Sequence, residues 1–446
     1  AYVNGLMEKA VTVKTGDQED SITLKDMGLK WKNQDIVEEA MKLGKSGNLI
    51  ERFKTLTDIK NNKQQYDFEL SVSKKKITAF VEDNLLGYNQ DAVEPTIKRS
   101  NGEFVVTDDE NGIEVNEKKT VAKLSKILES DLKEDLVVKT TMKVKKPEHT
   151  AKELRKIKNN LGSKTTTYAS SNYGRTQSLE LSASRVNGTV VWPGETVSVS
   201  YLMGERSRAG GYGTAQGYFG TKVEDTVGAG ICQTASTLYD AALFAELDIV
   251  ERHPHSLIVH YVDYAMDSTI YAGDDYKHPQ KDLKLRNPYD VPIYIEMAAG
   301  GGYERATIYG KETRPDNRSV KYVSNTLYEK FPDGITYTDD PSMPETYQVT
   351  TQGAFPAVKA TLTKIVYVNG VEKERTLLHT DTYNGANKKV TRGTKKVEKP
   401  TKDKDKDKDK DKDKNKDKDK DKDKDKPTQA PEPTKAPEAP AEGGGE

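Results

Sequence analysis

Between Lys402 and Lys426 the chain alternates lysine with aspartate, 13 Lys and 11 Asp broken once by Asn415. Such a run offers no apolar face at any periodicity, so nothing offsets the entropy cost of ordering it. The Pro-rich stretch beyond Pro427 favours extended conformers. Residues 398–446 therefore read as a disordered tail. That run holds 24 of the 141 charges in the 446-residue chain. Without it the charged fraction falls to about 28%, ordinary for a globular protein. The formal net charge of −1 thus joins two unlike parts. No basic stripe points to nucleic acid as a partner.

A single cysteine, Cys232, excludes an intrachain disulfide and any zinc site built from several cysteines. No metal or cofactor is implied. No run of 18 apolar residues is present to span a bilayer. The chain opens on Ala1-Tyr2-Val3 rather than methionine. This suggests a processed or trimmed start and leaves room for a signal or membrane anchor upstream of Ala1.

The pattern along the chain predicts an α+β, multidomain protein. In residues 1–150, Ser21–Leu24 reads as a short strand, Asn33 or Asp35 as the cap of a helix to Leu43, and Leu49–Leu56 as a second helix. Phe68–Val72 alternates like a strand, and Lys74–Leu85 is ambiguous between helix and strand. Asn101-Gly102 reads as a hairpin turn between 97–99 and 104–106. Lys118–Leu132 reads as an amphipathic helix, Leu136–Val144 as a strand, and Pro147 as the stop. Residues 151–165 look like a basic, helix-prone connector.

The next region, 160–313, is rich in Gly, Tyr, Ser and Thr and carries His253, His255, His260 and His278. Its one convincing helix is Cys232–Glu246. Strands are expected at Ser256–Val262, Ser268–Tyr271, Leu283–Arg286 and Val291–Met297. Region 316–397 alternates Tyr, Val and Thr between Asn-Gly turns at 369–370 and 384–385, the pattern of a small all-β domain.

The chemistry concentrates at Gly228-Ala229-Gly230-Ile231-Cys232-Gln233. Glycines permit a sharp turn, and a cysteine at the start of the following helix meets unpaired N–H groups and the positive dipole end, which stabilise a thiolate. The same N–H groups can hold an oxyanion. Glu251-Arg252-His253-Pro254-His255 supplies two imidazoles on or before a following strand, a papain-like arrangement. His255, next to Ser256–Val262, is the first choice of base and His253 the second. Asp267 is the candidate orienter, with Asp282 and Asn287 as competitors. Glu205 and Arg206 before the glycine-rich loop 210–213, which contains Tyr212, could line a cleft or grip a carboxylate. Against this stand bland alternatives: a lone cysteine as a small buried hydrophobe, strand-edge histidines, and a surface Glu-Arg pair.

With these residues in view, Arg185–Arg305 resembles the VanW domain family. The matching pieces are "RVNGTVVWPGETVSVSYLMGERSRAGGY", "GAGICQTASTLYDAALFAELDIVERHPHSL", "VDYAMDSTI" and "DLKLRNPYDVPIYI". The family pattern has three glycines before Ile-Cys-Gln. Ala229 replaces the middle one here, which implies a stiffer loop with the thiol intact. The first 147 residues resemble the peptidoglycan-binding domain that precedes such domains, through "ITLKDMGLKW", "VEEAMKLGKSGNLIERF" and "NGEFVVTDDENGIEVNEKKT". Residues 350–394 resemble the G-five (G5) surface domain, through "YVNGVEKERTLLHTDTY" and "RGTK".

These resemblances imply an extracytoplasmic protein of the cell wall or surface, with peptidoglycan stem peptides and glycan as partners. They imply a cysteine-dependent L,D-transpeptidase. Cys232 would attack the carbonyl of the third stem residue, release D-Ala, and pass the acyl group to an amine of a neighbouring stem as a 3–3 cross-link. Gly230 and Gln233 would shape the acyl pocket through their backbones, with Arg206 and Tyr212 toward the substrate. Two rivals remain open at this point: a cysteine peptidase that sends the acyl group to water, and a non-catalytic wall-binding scaffold.

Overall fold

The computed structural model describes residues 2–219, 222–273 and 275–396; the expected disordered tail, 398–446, lies outside the described residues. Helices and many strands alternate along the described chain. Residues Ala1–Lys395 form a single compact unit.

In the N-terminal part, strand Ala10–Thr15 buries every second residue, Val11 and Val13 among them, as one face of a pleated strand must. It pairs antiparallel with Gln18–Thr23 and parallel with Leu136–Lys139. Leu24, Met27, Ile77, Val81, Leu85 and Leu124 fill the core beside it. Helix Leu49–Asn61 starts on a capping box in which Asn48 and Glu51 satisfy each other's backbone N–H groups. Strands Ile97–Ser100 and Glu103–Val106 form the expected hairpin. Asn101 (φ 51°) and Gly102 (φ 84°) are both left-handed, the backbone that a two-residue hairpin turn requires. The ambiguous 74–85 stretch is helix Lys74–Phe80 running into a π-turn, Val81–Leu85. The single strand expected at 136–144 is two, Leu136–Lys139 and Met142–Lys145, in different sheets.

The basic connector expected at 151–165 is a correction. Only Ala151–Leu154 is helical, and Asn159–Thr167 is an edge strand of the middle region's four-stranded sheet. Its Leu161, Gly162 and Thr166 are buried beneath a helix, a role that Lys156, Lys158 and Lys164 concealed. The sheet runs Asn159–Thr167, Tyr303–Gly310, Ile293–Gly300, Thr189–Val191, all antiparallel. Helix Ile231–Phe244 lies against it. Nearly every one of its residues is buried, so it is a core helix rather than an amphipathic surface one. Its Ala, Ser and Thr side chains let the sheet approach closely, and Leu238 and Tyr239 fill the remaining space. Helix Tyr173–Val186 covers the flank, and a second sheet orders Thr196–Ser198, Lys284–Arg286 and Asp248–Glu251.

The strands expected at 256–262 and 268–271 do not form. Among the described residues between Glu251 and Lys284 the chain is irregular apart from an isolated bridge between Tyr271 and Lys281. Pro254 lacks an N–H for a ladder and biases His253. Leu257, Ile258 and Val259 are buried in the core without strand partners, which is how an apolar run mimicked a strand. His255 therefore sits in a loop, not on a strand as expected.

Among the described residues beyond Gly310 every regular element is a strand. Arg318–Lys330, Ala357–Val368 and Val371–Tyr383 form one sheet, and Ile335–Pro344, Lys388–Lys395 and Gln348–Gln352 another. Asn369 and Gly370, both at positive φ, turn the long hairpin. Val358, Ala360, Leu362 and Tyr383 belong to the same buried cluster as the Ile231–Phe244 helix. Burying each leucine-sized side chain there contributes about 1.5–3 kcal/mol. No helix among the described residues is long and apolar enough to cross a membrane.

Candidate active site

Cys232 is the second residue of helix Ile231–Phe244. The turn that delivers it uses left-handed backbone at Gly228 (φ 77°) and Gly230 (φ 113°). A Cβ at Gly230 would also meet Leu179 Cγ at 3.2 Å and Arg175 Cγ at 3.3 Å. Ala229, between them, does not take positive φ and is buried, so alanine fits where the family pattern has glycine. The Gly230 cap offers no side-chain hydrogen bond. The Ile231 and Gln233 N–H groups turn back on Gly228 and Gly230.

Facing the thiol is His255. Its Nδ1 lies 2.6 Å from Asp267 Oδ2, which also accepts the His255 backbone N–H at 2.7 Å. With Nδ1 turned to the carboxylate, Nε2 is the ring nitrogen left for the sulfur, and each group favours the charged form of the other. Thr269 Oγ1 lies 3.4 Å from Sγ, and the Ile270 carbonyl 3.6 Å. Burial opposes ionisation of the thiol, yet the hydrogen bond and charge of His255, with Thr269 and the Ile270 backbone, bring it down to about 6. Burial likewise opposes the imidazolium, but Asp267 and the thiolate push His255 up to about 9. Asp267, against the penalty of its own burial, is held well below the usual carboxylate range by His255, Arg252 and Tyr383. Between those two values a thiolate–imidazolium pair is the favoured state, the condition for a nucleophilic cysteine.

These groups open onto a cleft of about 1210 Å³. One wall is Gln216, Gly217 and Val223–Cys232, another is His255–Tyr261 with Thr269–Gly273, and Thr351–Gly353 and Phe355 close a third side. Drug-sized ligands fill about 300–1,000 Å³, so an extended peptide segment suits this volume. Arg175 and Arg206 line it as cations, and Glu205, Glu224 and Asp225 as anions. Arg206 is bonded to Ser200 Oγ at 2.7 Å, and its charge is felt at Cys232.

The structure brings Cys232, His255, Asp267, Gly230, Gln233 and Arg206 together. It does not bring His253, whose Nε2 pairs with Glu251 at 3.0 Å away from the cleft. Tyr212 is buried with its hydroxyl on the Met203 carbonyl at 2.8 Å, and does not line the cleft. The Gln233 side chain is consumed below the helix, accepting from Arg175 at 2.7 Å and donating to Thr166 at 2.9 Å and to the Thr167 carbonyl at 3.0 Å. Asp282 instead ties Ser198 and the Ser200 N–H, and Asn287 spans the Val191 and Val291 carbonyls. Sequence reasoning missed Thr269, two residues after Asp267 and legible by that proximity. It also missed Tyr261, whose ring meets that of His255 edge-on at 6.5 Å, and Arg252 and Tyr383, which hold Asp267.

Comparison with known proteins adds to this geometry. Residues 21–137 match the family described as "Putative peptidoglycan binding domain", residues 174–309 match "VanW like protein", and residues 323–395 match "G5 domain". A relative in Bacillus subtilis (strain 168), the uncharacterized protein YoaR, is 36% identical over 152 residues, 34% of this chain and 48% of its own length. The chain therefore spans about half the length of this curated relative. Among solved structures, the IgA1 protease G5 domain aligns with 18% of this chain and 95% of its own at 23% identity and TM-score 0.13. The HP0197 G5 domain aligns with 17% and 97% at 21% identity and TM-score 0.11. The chain thus carries a peptidoglycan-binding-type domain, a VanW domain and a G5 domain in that order, a set that points to association with the cell wall.

Proposed function

We propose that the protein is a cysteine-dependent acyltransferase of the cell wall, an L,D-transpeptidase that forms 3–3 cross-links between peptidoglycan stem peptides. The observation that carries this reading is the Cys232–His255–Asp267 arrangement, a helix-start thiol and an imidazole whose Nδ1 is held by a carboxylate. The Cys232 thiolate attacks the carbonyl of the third stem residue. The oxyanion is held by backbone N–H groups at the helix start. His255, as imidazolium, gives its proton to the departing D-Ala amine as the C–N bond breaks and a thioester remains. The side-chain amine of a neighbouring stem then attacks the thioester, His255 takes the amine proton, and the thiolate is restored. The cleft's size supports a peptide donor, and its mixture of cations and anions supports a zwitterionic stem.

A disaccharide-tetrapeptide incubated with the full chain and with Cys232→Ala, read by mass spectrometry, tests this. The expected result is dimer lacking one D-Ala, abolished in Cys232→Ala. Monomer shortened to tripeptide would assign hydrolysis instead. Binding of intact sacculi with neither product would leave a wall-binding scaffold, and unchanged product from Cys232→Ala would remove the nucleophile.

A further inference from the structure

Asp267 is clamped from a distant part of the chain. Its Oδ2 serves His255 twice, and its Oδ1 accepts from Arg252 Nη2 at 3.1 Å and from the Tyr383 hydroxyl. The same hydroxyl oxygen accepts the Ala265 N–H at 2.8 Å. That acceptance leaves the phenolic hydrogen for the carboxylate, so the direction of both bonds is settled. Ala265 is fully buried and left-handed (φ 62°), a backbone state that alanine does not hold without help. One hydroxyl thus pins the strained turn two residues before Asp267 and the Asp267 carboxylate itself. Burial and the Asp267 charge push the Tyr383 phenol well above its ordinary range, so it stays protonated and does not act as an acid.

Tyr383 does not act alone. It ends strand Val371–Tyr383, and residues two apart on a strand share a face. Asp381 takes Arg252 Nη1 at 2.5 Å, while Arg252 Nε donates to the Asp267 carbonyl at 2.7 Å. His379 meets the Tyr239 hydroxyl, on the cysteine-bearing helix, at 2.9 Å. Just beyond, the Asn384 N–H donates to the Ser256 carbonyl at 2.7 Å, next to His255. Three alternate residues of one strand in the G5-type region therefore reach the helix, the arginine brace and the triad carboxylate.

We infer that Tyr383 is a positioning residue of the Cys232–His255–Asp267 triad, with Asp381 acting through Arg252 as its brace, so that the G5-type region completes the catalytic apparatus of the VanW domain. This rests on the transpeptidase reading only in taking the triad as the working site.

The single cysteine makes the test clean. The full chain and Tyr383→Phe are alkylated with iodoacetamide from pH 4 to 10, and the rate at Cys232 is read by mass spectrometry. The wild-type midpoint is expected near 6. In Tyr383→Phe it rises by about one pH unit, so alkylation at pH 6 slows about fivefold. The sign discriminates. A hydroxyl that merely disperses the Asp267 charge would, when removed, strengthen the grip of Asp267 on His255 and move the midpoint down. A positioning hydroxyl moves it up, because the carboxylate leaves the imidazole. Asp381→Asn, which touches neither triad member, is expected to shift it upward by less, and keeps the test open if Tyr383→Phe fails to fold. Leu377→Ala, exposed on the same strand, leaves the profile unmoved. Unmoved or lowered midpoints in both Tyr383→Phe and Asp381→Asn would overturn the inference. A wild-type midpoint near 8.5, that of an ordinary thiol, would overturn it together with the transpeptidase reading. A low wild-type midpoint with the expected shifts, but no cross-linked product, would overturn transpeptidation alone.

Discussion

The sulfur of Cys232 sits where two tendencies oppose each other. Its surroundings disfavour any charge, and the imidazole of His255 supplies the opposite charge beside it. The second effect prevails only while His255 is present and oriented. In His255→Gln the desolvation penalty remains without its compensation, so the thiol moves above its ordinary value. The thiolate fraction at pH 7 then drops on the order of a hundredfold from a nearly complete one. Thiolate absorbance near 240 nm over a pH titration measures this directly, without substrate. A variant that still titrates near 6 would mean that the helix start alone ionises the sulfur. The sequence placed Cys232, His255 and Asp267 in their candidate roles because a glycine turn, a helix start and a nearby imidazole are local signals. It ranked His255 above His253 on the strength of a following strand that does not form, so the ranking held for another reason. That choice depends on Glu251 drawing His253 outward and Asp267 drawing His255 inward, and both are tertiary facts.

At the scale of elements, the end of the Ile231–Phe244 helix is fastened to the C-terminal strands through Glu246. Its carboxylate takes Arg318 at 2.5 and 2.8 Å, Lys364 at 2.6 Å and Arg314 at 3.5 Å. Burial opposes this charge, yet the cations bring it down to about 2 from an ordinary 4.5. A depressed carboxylate contributes stability that is fully present above about 4.5 and is lost as pH falls toward 2. Glu246→Gln is therefore expected to cost roughly 2 kcal/mol at pH 7, the scale of charge-assisted bonds in a half-buried network. The gap from wild type should narrow markedly in urea unfolding near pH 2.5. A gap equal at both pH values would show that packing, not charge, holds this junction. Other elements differ in how far they announce themselves. The turns at Asn101-Gly102 and Asn369-Gly370 are legible because left-handed backbone selects those residues. Strand Asn159–Thr167 is not, since the lysines before and within it suggest a connector while Leu161, Gly162 and Thr166 are buried under the helix. The apolar run after His255 suggests a strand, and only the tertiary packing shows that it fills the core as loop.

Across the whole molecule the cores divide unequally. One buried cluster holds the cysteine-bearing helix, its sheet and Val358, Ala360, Leu362 and Tyr383 of the C-terminal strands. The N-terminal part keeps a separate cluster around Val11, Leu24, Ile77 and Leu124. It touches the middle sheet through the 97–106 hairpin, where Phe104 packs on Tyr294 and Tyr309, and Arg99 pairs with Glu296 at 2.9 Å. Elements that share a core lose their hydrogen bonds together, because neither half retains enough buried apolar area alone. Amides of helix Ile231–Phe244 and of strand Ala357–Val368 should therefore exchange with one common opening free energy as urea is raised. Amides of strand Ala10–Thr15 should follow their own. Hydrogen exchange read by mass spectrometry separates the two sets. If the C-terminal strands exchanged well before the helix, the shared core would be too weak to couple them, and Tyr383 could not hold Asp267 in a protein whose supporting strand opens independently of the site.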